Sequence, residues 1–382
     1  MKAYIKVKKN KGCAGIDNQS IEEYEKNLNL NTRELSRLLT EKRYEPLPVK
    51  RIYIKKANGK LRPLGIPAVK CRVVEQTVLD AIQPKLESIF SDSSYGFRPN
   101  RSANQAIKKI KEYIDEGYVH VVDADIRDFF GTLNHQILMS KLREQIENRD
   151  ITLLIYHFLK AGALEEGKLI NQISGTPQGG VISPILANLY LTDFDKIFKK
   201  TDYKLVRYAD DFVILCKAEN QAIDAFKKMK EILKSLKLEI AEEKTKITSV
   251  YDGFNFLGHT FWKSRGGNIT YTFPSDKSMR SFREKVKIIT RRQQPSNIKM
   301  VIERLNPLVR GWGNYFRDGD GKKRIQRLDE WIRMRLRSFI LKKRALTLNV
   351  HLRFPNVFFK TSGLVFLTDI FASQKARLSI PL

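Results

Sequence analysis

Two adjacent carboxylates, Asp210 and Asp211, sit between two runs of strand-forming residues. Leu205 and Val206 precede them; Phe212, Val213, Ile214 and Leu215 follow. β-branched and aromatic residues on both sides of a short polar break read as a β-hairpin. Asn-Gly or Asp-Gly would make the easier turn. Tyr208-Ala209-Asp210-Asp211 instead sets like charges side by side, and each raises the other's pKa unless a cation neutralises them. Alone, such a pair is most often a solvated turn; the sharper reading is a divalent-metal site. A second feature bears on the choice. Residues 119–126 read as a strand, and a period of two puts Asp123 and Asp125 on one face. A carboxylate in an apolar strand is costly unless paired or metal-bound, so Asp125 joins Asp210 and Asp211 as a candidate ligand. Mg²⁺ prefers carboxylates, water and substrate phosphate. Two such ions, about 4 Å apart, clamp the attacking and leaving oxygens of an in-line phosphoryl displacement. That chemistry is nucleotide addition.

Charge supports a polyanionic substrate. The 382 residues carry a net +28, unevenly spread. Residues 1–72 hold +11, residues 73–276 hold −1, residues 277–344 hold +15, and the remainder +3. Basic segments thus flank a neutral centre that contains the aspartates, which points to nucleic acid rather than to simple solubility. Cys13, Cys71 and Cys216 are isolated and lack C-x-x-C spacing, which argues against a disulfide framework or a structural zinc and fits a reducing compartment. The N-terminus has no apolar core of a signal peptide, and the apolar run at 181–191 is too short to span a bilayer. No membrane association is expected.

The remaining elements must position these groups. Ser20 with Glu23 predicts a capped helix start. Residues 51–66 alternate around Asn58-Gly59 as a strand–turn–strand hairpin presenting Lys55, Lys56, Lys60 and Arg62, which can hold a triphosphate. Helices are predicted near 69–90, 103–116, 136–146, 151–159, 181–198 and 220–236, with a further strand from 242 and a short apolar turn at 254–259. The loop Ser174-Gly175-Thr176-Pro177-Gln178-Gly179-Gly180 allows close backbone approach before a helix. Tyr95-Gly96-Phe97-Arg98-Pro99-Asn100-Arg101-Ser102 offers aromatics with Arg98 and Arg101 as nucleic-acid contacts. From Ser275 three basic helices follow, with Arg310, Trp312, Arg317, Arg324 and Arg327 as further contacts.

The order of these pieces resembles the group II intron-encoded reverse transcriptase/maturase family. The matching stretches are Asn10-Lys-Gly-Cys-Ala-Gly-Ile-Asp17, Arg62-Pro-Leu-Gly-Ile-Pro67, Tyr95 to Ser102, and Asp123-Ala-Asp-Ile-Arg-Asp-Phe-Phe130. They continue with Gly175-Thr-Pro-Gln-Gly-Gly-Val-Ile-Ser-Pro184, Tyr208-Ala-Asp-Asp211, Glu243-Lys-Thr-Lys246, Phe256-Leu-Gly-His259 and Leu305-Asn-Pro-Leu-Val-Arg-Gly-Trp-Gly-Asn-Tyr-Phe316. No single stretch decides; their joint order does, over nearly the whole chain to about residue 345.

The resemblance implies an α+β right-hand polymerase followed by an α-helical thumb or maturase domain. It divides the chain into fingers (1–122), a palm (123–270, with a helical insertion near 136–172), a thumb/maturase domain (275–345) and a short tail (346–382). It implies that Asp125, Asp210 and Asp211 bind two Mg²⁺ ions, with Mn²⁺ able to substitute, and that Asp210 is the firmer ligand. Lys60 and Arg62 match positions at the incoming triphosphate, Phe130 the aromatic that blocks a ribose 2′-OH, and Gln178 and Gly179 the loop beneath the nascent base pair. Either Lys244 or Lys246 matches a proton donor to pyrophosphate. The implied partners are an RNA template with a DNA or RNA primer, dNTPs and a group II intron RNA whose splicing and mobility the protein assists, in a bacterial cytoplasm. Alternatives are a domesticated enzyme of DNA repair or phage defence, or a splicing-only RNA-binding maturase. Three departures stand out. Gly131 replaces a common Asp, the segment before Asn10 is short, and nothing after 345 resembles a His-Asn-His nuclease.

Overall fold

The computed structural model describes residues 1–55, 59, 61–170, 174–342 and 349–378, with side chains to residue 372. The expected turn residues Lys56, Asn58 and Lys60 lie outside the described residues. The chain forms two compact units: Met1–Ala106 with His120–Ile247, and Ile107–Val119 with the chain from Thr248 onward.

In chain order the first unit contributes β1 (Val49–Lys55), β2 (Leu61–Ile66), β3 (His120–Asp125), β4 (Ala163–Glu165), β5 (Lys168–Ile170), β6 (Lys204–Tyr208), β7 (Asp211–Cys216) and the start of β8 (Lys246–Ser249). They make two four-stranded sheets, ordered β2-β1-β4-β5 and β6-β7-β3-β8. β3 and β6 both pair antiparallel with β7, so β7 is central and Phe212 to Cys216 are buried. Long helices cover this sheet: Val69–Glu87, Ser183–Tyr190, Thr192–Lys199 and Glu219–Ser235 supply Val74, Ile82, Leu186, Tyr190, Phe194, Phe198, Ala225 and Met229 to one continuous core. Local signals set the helix starts. Ser20 and Glu23 form the expected capping box, and Asn134 and Asn148 each accept a first-turn amide at the starts of His135–Gln145 and Arg149–Lys160.

The second unit holds β9 (Phe254–Phe256), β10 (His259–Lys263) and β11 (Thr270–Pro274), an antiparallel sheet with β10 in the middle. Three helices, Asp276–Ile289, Ile298–Phe316 and Lys322–Leu341, bury Phe282, Val286, Leu305, Val309, Leu328 and Leu336 in a separate core. Ser275 and Asn297 cap the first two. Among the described residues no helix is long and apolar enough to cross a membrane.

Several segments differ from the sequence expectation. The helical run at 181–198 is broken at Leu191 into two helices. The strand expected from Glu242 begins at Lys246, because Glu242 to Thr245 form a turn held by Lys244 and Thr245 amides on the Ala241 carbonyl. Residues 163–170, expected in a helical insertion, form the β4–β5 hairpin, since Glu166 and Gly167 both take positive φ and reverse the chain. The short turn at 254–259 expands into the three-stranded sheet.

Residues 349–378 form three short helices, Val350–Arg353, Asn356–Thr361 and Leu367–Leu378, rather than trailing as a tail, and they bury Phe359, Leu364 and Leu367 against the helical core. Asp329, almost fully buried, accepts the Leu367 and Thr368 amides at 2.9 and 2.8 Å and the Thr368 hydroxyl at 2.9 Å. It therefore caps a helix that lies far from it in sequence. Burial raises its pKa, and those donors pull it back. Asp329→Ala should cost about 2 kcal/mol. In native-state hydrogen exchange, protection of residues 350–378 should fall ahead of the three-helix core. Unchanged protection there would show that Asp329 does not hold this segment.

Candidate active site

The hairpin that carries the aspartates is as tight as a hairpin can be. Tyr208 and Asp211 are register partners, so Ala209 and Asp210 alone make the turn. Ala209 takes φ +60°, a conformation in which glycine is easy and alanine is strained. Its surroundings hold it there. The Arg207 guanidinium, completely buried, forks onto Asp195 at 2.7 and 2.5 Å, and its remaining nitrogen donates to Asn188 Oδ1 (3.0 Å) and to the Ala209 carbonyl (2.8 Å). Asn188 in turn donates to the Gly96 carbonyl at 2.8 Å. Gly96 packs so closely that a Cβ would meet the Ala209 amide, and Tyr95 and Arg207 exchange backbone bonds with their neighbours across this seam.

On the next strand, Asp125 faces Asp211 as a register partner. Three carboxylates therefore arise from two paired strand ends and one two-residue turn. Burial raises the Asp210 pKa, Asp125 adds to the rise, and Arg62 and Lys244 oppose it. Asp211 is pushed up to about 6 by the surrounding protein and by Asp210, Asp125 and Asp123. Asp211 is exposed, so water moderates the effect. Asp123 is also raised to about 6 by burial, with Lys246 opposing and Asp125 adding. Lys244 hydrogen-bonds Asp125, which raises the lysine's own pKa. Of the two lysines, then, Lys244 meets the triad and Lys246 faces Asp123.

The donor set suits a hard divalent cation. Three oxygen-donor side chains repel one another, and an ammonium already sits against one of them. Among the described residues no group of three His, Cys, Asp or Glu side chains is arranged to hold a metal ion by itself. Mg²⁺ takes one or two carboxylates and completes its shell with water and phosphate, and the facing Asp125 and Asp211 can supply two.

The loop carrying Gln178 and Gly179 is clamped on three sides. Gly175 and Thr176 amides bond the Leu133 and Phe130 carbonyls at 2.7 Å. The Gly65 amide bonds the Gln178 carbonyl at 2.7 Å, and Arg62 donates to the Gln178 side chain at 2.7 Å. Gly179, at φ +118°, lies against Gly65 where a Cβ has no room. Buried Glu75 accepts the Val181 and Ile182 amides ahead of helix Ser183–Tyr190, and burial raises its pKa to about 7. Phe130 is half-buried with its ring edge-on to Phe129 at 5.4 Å.

The structure brings Arg62, Asp125, Gln178, Asp210, Asp211 and Lys244 into one neighbourhood. It corrects Arg98 as a nucleic-acid contact: its guanidinium is buried, paired with Glu87 and bonded to the Ser91 and Ser94 carbonyls, so it holds its own loop. Arg101 is partly engaged with Asp92 at 2.6 Å. Trp312 is likewise corrected: it is half-buried and its ring packs against Phe282 and Phe316 at 4.7 and 4.6 Å beside the helical core. Arg310, Arg317, Arg324 and Arg327 are exposed. Sequence reasoning missed Asp195, Asn188, Arg207 and Glu75. A signal existed for two of them: Arg207 interrupts an apolar strand, and Asp195 interrupts the apolar stripe of Phe194 and Phe198.

Residues 54–261 match the family described as reverse transcriptase (RNA-dependent DNA polymerase), and residues 279–351 match the group II intron, maturase-specific domain. The chain is 36% identical to Protein YkfC of Escherichia coli (strain K12), over 62% of this chain and 73% of that protein. It is 30% identical to the group II intron-encoded protein LtrA of Lactococcus lactis, over 70% of this chain and 55% of LtrA. Its fold is similar to that of telomerase from Candida albicans, with a TM-score of 0.50 at 14% identity, covering 94% of this chain and 68% of that one.

Asp195→Ala would leave Arg207 buried without its counter-ion. The expected loss is about 3–5 kcal/mol. Chemical denaturation measures it; a change below about 1 kcal/mol would show that the pair does not hold the turn.

Proposed function

The chain belongs to the reverse transcriptase family, in its group II intron branch, and from that premise we propose that it extends a DNA or RNA primer along an RNA template with dNTPs. The family is one of RNA-directed DNA polymerases that depend on divalent metal. The observation that carries the reading is the facing pair Asp125 and Asp211, with Asp210 in the adjoining turn, inside the matching region. A splicing-only protein would have no use for three carboxylates held in mutual repulsion.

Asp125, Asp210 and Asp211 would hold two Mg²⁺ ions, with Mn²⁺ able to substitute. Such ions neutralise the transferring phosphoryl group and align attacking and leaving oxygens. The chain's own groups do the rest. Arg62 with Lys60 holds the triphosphate. Gln178 and Gly179, immobilised by their clamps, support the nascent base pair. Phe130 closes the space beside the ribose 2′ position. Lys244 is better placed than Lys246 to protonate the departing pyrophosphate, because its ammonium already reaches Asp125. In the second unit, exposed Arg310, Arg317, Arg324 and Arg327 present phosphate-binding charge to intron RNA, whose splicing and mobility the protein assists. The chain would work among nucleic acids in a bacterial cytoplasm. YkfC and LtrA are longer than the stretches that match, so these assignments are made for the shared region.

Primer extension on an RNA template tests the site. Asp210→Ala should lower the rate on the order of a hundred- to a thousandfold; an unchanged rate would remove the site assignment. The pH dependence has a definite sign. Asp211 keeps its proton up to about 6, above the usual carboxylate range, and a metal binds only the deprotonated group. Extension at limiting Mg²⁺ should therefore fall as pH drops through about 6, and saturating Mg²⁺ should move the midpoint lower. In the metal-free protein the same shift works the other way on stability. A raised folded-state pKa favours the fold most below the unfolded value, and that contribution is lost as pH rises through about 6.

A further inference from the structure

The second unit carries a cleft that the polymerase site does not use. Its volume is about 990 Å³, at the upper end of the range for small-ligand sites. The β9–β11 sheet explains its floor. Alternation sends Phe254 and Phe261 inward, where their rings stack at 5.0 Å, and sends Trp262, Tyr271 and Phe273 to the opposite face. Trp262 and Tyr271 are cross-strand partners with ring centroids 5.7 Å apart, and each is 37% exposed. Two large aromatics open to water on one sheet face are unfavourable unless something covers them.

The rim carries three cations and two carboxylates, Asp320 and Asp369. Arg317, Lys322 and Arg324 surround the aromatic floor. The Arg324 guanidinium sits over the Phe273 ring at 4.2 Å and lies 3.8 Å from the Asp276 carboxylate. Asp320 ties the rim to the sheet: its carboxylate accepts the Thr272 amide at 2.9 Å, and its own amide donates to the Thr272 carbonyl. Aromatic faces between cations are what an unpaired nucleotide requires, since every base has a face to stack and every linkage a charge to hold. A duplex keeps its bases stacked on one another and would leave the floor uncovered.

We infer that this cleft seats an unpaired base of a single-stranded RNA segment, stacked on Trp262 and Tyr271, with its flanking phosphates on Arg317 and Lys322. The inference deepens the RNA-binding part of the proposed function and rests on it. It moves the aromatic contact from Trp312, whose ring packs against Phe282 and Phe316, to Trp262.

The test uses the full chain without divalent metal or dNTPs, so no polymerisation contributes. The probes are a short oligouridine carrying one 2-aminopurine and an abasic strand of equal length. Wild-type protein should quench the 2-aminopurine and bind the base-bearing strand roughly five- to a hundredfold more tightly than the abasic one. Trp262→Ala with Tyr271→Ala should abolish both the quenching and the preference and leave abasic binding unchanged. Trp262→Phe should retain much of both. Should the double variant melt early, Trp262→Gln alone carries the same readout. Equal affinity for the two strands, or quenching that survives the alanines, would overturn the inference. So would tight binding of adenosine monophosphate with no preference between strands, which would mark a small-molecule site. Primer extension by the same preparation separates the two readings. Extension without base preference sinks the cleft alone, and base preference without extension sinks the polymerase assignment alone.

Discussion

A buried arginine decides where two adjacent aspartates can stand. Arg207 and Asp195 are both removed from water, and desolvating two charges costs several kcal/mol each before any attraction is counted. The pair is tolerable because every strong donor direction is answered: two by Asp195, one shared by Asn188 and the Ala209 carbonyl. Burial raises the Asp195 pKa while Arg207 pulls it down, so the carboxylate's charge depends on its partner. Such pairs contribute little net stability against an apolar substitute. What this one contributes is position. It grips the carbonyl of Ala209, the one residue of the turn with a strained backbone, and so sets the direction in which Asp210 leaves the strand.

The same constraint explains why the site can be unfavourable in itself. Burial and neighbouring carboxylates raise the pKa values of Asp123, Asp210 and Asp211, and among the described residues Arg62, Lys244 and Lys246 offset them. A hairpin ending in such repulsion would open unless something else determined its shape. β7 at the centre of its sheet, the Arg207 network beneath the turn and the Gly96 backbone against it supply that determination. The strain at Ala209 and the charge repulsion thus sit where the surroundings over-determine the structure, as expected of a site that waits for cations.

How much of this could be read from the sequence depended on range. Helices with caps were legible, because their signals lie within a few residues, as Ser20 with Glu23 shows. The facing of Asp125 and Asp211 was half legible; each strand was clear, but the register that pairs them is a property of the sheet. The β4–β5 and β9–β11 strands were missed because three- to five-residue strands carry too little periodicity to distinguish from turns. Arg98 and Trp312 were misread for one reason: a side chain able to bind nucleic acid is equally able to bond carbonyls or fill a core, and only the surrounding fold chooses. Glu75 gave no local sign, since its partners Val181 and Ile182 lie over a hundred residues away.

Gly131 shows how a departure from the family pattern is absorbed. Asp128 adopts φ +40° and folds its carboxylate over Gly131, so closely that a Cβ at 131 would collide with it. A second aspartate there would force Asp128 out of this conformation and set two carboxylates against each other. The Gly131 carbonyl also takes the Ser174 hydroxyl at 3.2 Å, and Gly175 packs on the Phe130 and Gly131 backbone. The missing side chain lets the short helix Phe129–Thr132 and the Gln178 loop approach backbone to backbone. Phe130 is thereby anchored through its own carbonyl to Thr176. The change tightens the support of Phe130 and of the Gln178 loop. It leaves Asp125, Asp210 and Asp211 in the arrangement that the buried arginine imposes.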